Sequence, residues 1–160
     1  MNSKSELSIK ISSKSIRNRV IQIGKELSKN YAGKNPIFIG ILNGSFMFLS
    51  DLMRTLTIEC EMDFIQLNSY VGRDSTGRVA LIKDFSTNIN NRHIVLVEDI
   101  VETGNTLKFL LNKMKPLSPG SISIVTLLAK NIDRPFDLDY IGFEISQEFV
   151  VGYGLDYNQK

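Results

Sequence analysis

Two residue types on which active sites are often built are nearly missing. The 160-residue chain has one cysteine, Cys60, and one histidine, His93. A single thiol excludes an internal disulfide and a cysteine-based zinc site, and it reads as a packing group in a reducing compartment. His93 opens an apolar stretch without a serine or cysteine partner at readable spacing, so a histidine-based triad has no support. Nowhere do about eighteen apolar residues run together, and the polar N-terminus "MNSKSELSIKISSKS" has no apolar core. Neither export nor membrane spanning is encoded, and a soluble, cytoplasmic chain is expected. Lysine and arginine total 19 against 17 acidic residues. No dense basic cluster stands out, so nucleic acid is not the expected partner. Repeats, linkers and low-complexity tracts are also absent, and 42% hydrophobic content suits one packed domain over residues 1–160.

What is present is an alternation of helix and strand patterns. Ser12 and Ser13 can cap a helix whose stripe is Ile16, Val20, Ile23 and Leu27. "PIFIGIL" (36–42) reads as a buried strand, and Ser45 then caps a helix with Phe46, Leu49 and Met53 on one face. "MDFIQLNSY" is a second strand, with a loop rich in Gly, Ser and Thr leading to an edge strand at 79–82. "HIVLVED" is a continuous apolar run, as in a parallel strand covered on both faces. A helix follows, marked by Leu107, Leu110, Leu111 and Met114. "SISIVTLLAK" is a further strand, and the tail "YIGFEI...FVVGYGLDY" predicts two short β segments. The class is α/β with a mainly parallel sheet.

Chemistry concentrates in "IVLVEDIVETGNTLKFLL" (94–111), where a strand end meets a loop and a helix start, the usual place for ligands on open parallel sheets. Thr103, Gly104, Asn105 and Thr106 offer backbone amides and two hydroxyls to one phosphate. No lysine completes a Walker-type loop. Glu98, Asp99 and Glu102 would repel that phosphate unless they face another part of the ligand, and vicinal hydroxyls or a magnesium ion would serve. The pattern thus suggests a ribose phosphate; the alternative is a solvated acidic strand end favoured by the helix dipole.

"VLVEDIVETGNTL" resembles the phosphoribosyl pyrophosphate motif of the type I phosphoribosyltransferases. The segments "GILNGSFMFLSDLMR", "NSY", "STGRV", "LLAK" and "GFEISQEFVVGYGLDYN" extend the resemblance over nearly the whole chain, specifically toward the hypoxanthine-guanine branch. The resemblance implies a parallel twisted sheet flanked by helices, with a small hood over the site. Hypoxanthine or guanine plus phosphoribosyl pyrophosphate would become IMP or GMP plus pyrophosphate, with Mg2+ as cofactor and a homodimer or homotetramer as the assembly.

The resemblance also implies residue roles. Glu98 and Asp99 hold the ribose hydroxyls and, with Asp156, a magnesium ion, while Thr103 to Thr106 wrap the 5′-phosphate. Asn43, Gly44, Ser69 and Tyr70 face the pyrophosphate, and the loop from Ser69 to about Arg78 closes as a lid. Lys130 donates to the purine 6-oxo group, Phe149 stacks on the base, and Val150 and Asp156 meet its edge. In "LNG" (42–44) the family often has a non-proline cis peptide.

Three departures accompany the resemblance. Glu102, the catalytic acid near purine N7, stands where the family usually has Asp, and Asn43 stands where it commonly has Lys. Only four residues follow Asp156, whereas the family normally places an Arg slightly further on; either the chain continues beyond Lys160 or Lys160 or another cation takes that role. A catalytically weakened nucleotide-binding regulator with the same pocket is the alternative function. Another α/β phosphotransfer domain is a third, against which the purine-side segment argues.

Overall fold

A computed structural model describes residues 8–69, 79–131 and 133–155. The elements run α1 (Ser13–Asn30), β1 (Ile37–Leu42), α2 (Phe46–Met53), β2 (Glu61–Ser69), β3 (Val79–Lys83), β4 (His93–Val101), α3 (Asn105–Met114), β5 (Ser121–Lys130) and β6 (Tyr140–Ile145). The strands form one sheet in the order β3-β2-β1-β4-β5-β6, parallel throughout except for the antiparallel β2–β3 pair.

The continuous apolar runs of β1 and β4 follow from burial on both faces. Phe38, Val95, Val97 and Val125 pack with Val20, Ile23 and Leu27 of α1 and with Phe48, Leu49 and Leu52 of α2. The alternate residues Ile37, Ile39, Ile41, Ile94 and Leu96 pack with Leu107, Leu110 and Met114 of α3. Each such side chain contributes about 1.5–3 kcal/mol when fully buried. Two cores, one on each face, clamp the sheet and fix the ends of its strands. No helix among the described residues is long and apolar enough to cross a membrane.

Local signals mark the first helix well. Ser12 caps α1 by accepting from the Ser15 amide at 3.1 Å. Arg19 of the same helix donates to the Ile141 carbonyl of β6 at 2.6 Å, tying α1 to the sheet edge. His93 sits at the start of β4, its Nδ1 2.8 Å from the Ser121 hydroxyl, in the structural role expected of it. Cys60 is half-buried against the first core, and burial raises its thiol above the usual range.

Three expectations need correction. The buried face of α2 is Phe48, Leu49 and Leu52, whereas Phe46 is 53% exposed. Gly40 of β1 is the reason: a β-carbon there would lie 2.6 Å from Leu49 Cδ2, so α2 rests on the strand through Leu49 and its neighbours. Ser45 does occupy the N-cap position, but its hydroxyl makes no capping bond. The second β segment of the tail is not a strand either. Gly152, Tyr153 and Gly154 all have positive φ, and the only pairing found among the described tail residues is a bridge between Gly152 and Leu155. A chain in that conformation turns and cannot extend a ladder.

Candidate active site

The connection from β1 leads to β2 on one side and that from β4 leads to β5 on the other. The ends of β1 and β4 therefore flank a switch point, where a crevice opens in an open parallel sheet. The β1–α2 loop and the acidic motif both emerge there. Leu42–Asn43 is a cis peptide, and the next residue, Gly44, presses against the motif. A β-carbon on Gly44 would lie 1.9 Å from Asp99 Oδ2. No larger residue fits unless Asp99 moves. Asn43 is exposed, and its Oδ1 accepts from Gln66 Nε2 of β2 at 3.2 Å.

Glu98 and Asp99 are 8% and 9% exposed, so they are not a solvated strand end. Burial raises the Glu98 pKa well above the usual carboxyl range, and the neighbouring Asp99 raises it further. Burial also raises Asp99, offset in part by its hydrogen bond with Glu98. Two adjacent buried carboxyl groups disfavour each other's charge. Hydroxyl donors or a cation beside the pair would relieve that cost. Glu102, by contrast, has a side chain 54% exposed.

Beyond it the chain enters α3 through Gly104, which has φ 76 and provides no side-chain cap. The first intrahelical bond runs from the Lys108 amide to the Gly104 carbonyl at 2.9 Å. The amides of Thr106 and Leu107 thus precede that ladder and point out of the helix end with the positive end of its dipole. Thr103 Oγ1 accepts from the Asn105 amide at 3.4 Å, which folds the loop on itself. Phe136, a residue with no sequence signal, backs this loop: a β-carbon on Gly104 would lie 2.9 Å from its Cζ.

Lys130 is only 9% exposed, against the ordinary preference of lysine for solvent. It forms an ion pair with Glu102. The register explains the meeting, since Val101 pairs with Ala129 and the next residues along the chain are Glu102 and Lys130. Arg134 Nη1 holds the Lys130 carbonyl at 3.0 Å. Phe149 is 69% exposed, and Val150 is half-buried against the first core. Ser69 closes β2. Tyr70, the rest of the proposed lid to about Arg78, Asp156 and Lys160 lie outside the described residues.

The structure therefore brings together Asn43, Gly44, Glu98, Asp99, Glu102 to Thr106 and Lys130 around the ends of β1, β4 and β5. A cavity of about 380 Å³ lies elsewhere, lined by residues such as Phe85, Ile89 and Leu117 that precede the starts of β4 and β5. Its lining has no ionisable side chain, so it lacks the acid pair and the cation that distinguish the crevice.

An uncapped helix N-terminus, a buried acid pair and a mainly parallel sheet mark the site, and residues 12–158 match the phosphoribosyl transferase domain; the chain belongs to that family. Its relatives narrow the branch. It is 42% identical over 142 residues to the hypoxanthine-guanine phosphoribosyltransferase of Streptococcus mutans, covering 87% of this chain and 79% of that one. A hypoxanthine phosphoribosyltransferase structure from Staphylococcus aureus superposes with a TM-score of 0.90 at 39% identity, covering 96% and 85% of the two chains. The Trypanosoma cruzi hypoxanthine phosphoribosyltransferase in complex with its product IMP gives 0.84 at 35% identity, covering 97% and 92%.

Proposed function

We propose that this chain is a purine salvage transferase that converts hypoxanthine or guanine and phosphoribosyl pyrophosphate to IMP or GMP and pyrophosphate. The observation that carries the reading is the buried Glu98–Asp99 pair beside an uncapped helix N-terminus, one group suited to ribose hydroxyls and the other to a 5′-phosphate. Gly44, Asn43, Ser69 and Tyr70 take the pyrophosphate side. Lys130, Phe149, Val150 and Asp156 take the purine side.

In this reaction the bond from ribose C1 to the pyrophosphate oxygen breaks, a bond from C1 to the purine nitrogen forms, and the purine gives up a proton. Charge develops on the sugar ring and on the leaving oxygens, so catalysis is chiefly positioning and electrostatics. Glu98 and Asp99 orient the sugar by accepting from its hydroxyls, Thr103 to Thr106 fix the phosphate, and Glu102 receives the purine proton. Mg2+ suits the same acid pair, because it favours hard oxygen ligands and commonly combines one or two carboxylates with substrate phosphates. When bound it neutralises charge on the leaving pyrophosphate. A cytoplasmic homodimer or homotetramer, built from a single domain over residues 1–160, completes the proposal.

Calorimetric titration with IMP tests the cradle. Wild type should bind and Thr106→Val should lose affinity, while unchanged affinity in the variant would sink the phosphate assignment.

A further inference from the structure

Residues 152–155 form a turn in which the Leu155 amide donates to the Gly152 carbonyl at 3.1 Å. Tyr153, inside that turn, has φ 53, a left-handed conformation uncommon for a residue with a side chain. Its ring packs on the first core, and its hydroxyl donates to Asp51 Oδ2 of α2 at 2.6 Å. Burial and the neighbouring Asp51 raise the phenol above its ordinary range, so it keeps the proton it donates across physiological pH.

The following residue shows what this anchor holds. Gly154 has φ 92, and a β-carbon there would lie 2.7 Å from the Gly44 carbonyl oxygen. Gly44 in turn presses on Asp99. The contacts therefore stack three deep: the tail on the backbone of the β1–α2 loop, and that loop on the Asp99 carboxylate. Asp51 belongs to the helix that the same loop enters, so the Tyr153–Asp51 bond ties the tail to the element it covers.

We infer that Tyr153 is a positioning residue which, through Asp51, clamps the purine-side tail onto Gly44 and keeps the pyrophosphate loop seated against Asp99. It touches no reacting atom. Its effect is to make the segment bearing Phe149 and Val150 and the loop bearing Asn43 and Gly44 a single unit, so that substrates on both sides meet a prearranged site. This rests on the proposed transferase reading.

The test is a double-mutant cycle with Tyr153→Phe, Asp51→Ala and the double variant, with Michaelis constants measured separately for phosphoribosyl pyrophosphate and purine. Both sites are at least partly exposed, and each single variant breaks the same bond, so either suffices if the other folds poorly. Tyr153→Phe should raise both Michaelis constants by about five- to tenfold while kcat changes less than about twofold. The double variant should be no worse than either single one. Michaelis constants unchanged in the single variants, an equal fall of kcat without a rise in KM, or additive effects in the double variant would overturn the inference. Wild-type protein without turnover would instead sink the transferase reading, and titration of each variant with phosphoribosyl pyrophosphate would still test the clamp, with weakened binding expected and equal binding contradicting it.

Discussion

Lys130 and Glu102 form an ion pair across the ends of β5 and β4, between a nearly buried ammonium and a carboxylate that is about half exposed. In the proposed site both lie on the purine side, where an incoming base would compete with Glu102 for Lys130. The extra methylene of glutamate gives the carboxylate its reach. Shortening it in Glu102→Asp should weaken the pair and leave turnover equal or faster. A misplacement of about 1 Å can cost on the order of a hundredfold in rate, so a loss of that size would show that the loop has been rebuilt around glutamate.

The Glu98–Asp99 pair makes stability fall with rising pH. Both carboxyl groups are raised above their ordinary values, so the folded state holds more protons than the unfolded one. Their contribution is fully present below about pH 4 and is lost as pH rises through the higher folded values. Glu98→Gln removes the main source of this dependence. Thermal melts between pH 5 and 8 should therefore flatten in the variant, even as ribose binding weakens; an unchanged slope would count against burial as the cause.

Asp63 has the opposite sign. Burial alone would raise it, but the Phe64, Thr87 and Ser86 amides and the Thr87 hydroxyl donate to it and hold its pKa well below the usual range. Its stabilisation is present above about pH 4 and is lost as pH falls through the depressed folded value. Replacing it by alanine leaves the Ser86 and Thr87 amides, now at 2.7 and 2.9 Å from Oδ2, without their acceptor. A loss of about 3 kcal/mol is expected, read as a lower denaturation midpoint at pH 7.

Gly44→Ala tests the closest approach in the site. Its added β-carbon would lie 1.9 Å from Asp99 Oδ2, far inside van der Waals contact, so loop or carboxylate must move. The far-ultraviolet spectrum should be retained while kcat/KM falls on the order of a hundredfold. Near-wild-type activity would mean that the contact is not needed.

Strands and helices were legible wherever burial imposes a period. β5 spans the residues its pattern predicts, and of the predicted α3 stripe Leu107, Leu110 and Met114 are buried while Leu111 is half-buried. The acidic motif was legible because Glu98, Asp99 and the Thr–Gly–Asn–Thr loop are adjacent in the chain. Phe46 misled because a short helix at a strand end has its buried face set by what lies beneath it, here Gly40. Tyr153, Phe136 and the Lys130–Glu102 pair were not legible, since each depends on register or on contacts distant in the chain. The two glycines around Tyr153 were the one local hint of a turn where the apolar pattern suggested a strand.

The central claim is tested most directly by incubating the protein with phosphoribosyl pyrophosphate, magnesium and each of hypoxanthine, guanine, xanthine and adenine, and following nucleoside monophosphate formation. Hypoxanthine or guanine should yield IMP or GMP with stoichiometric pyrophosphate, and adenine should not react. No product from any base, in a protein whose melting temperature GMP still raises, would contradict the transferase reading and leave a nucleotide-binding regulator in its place.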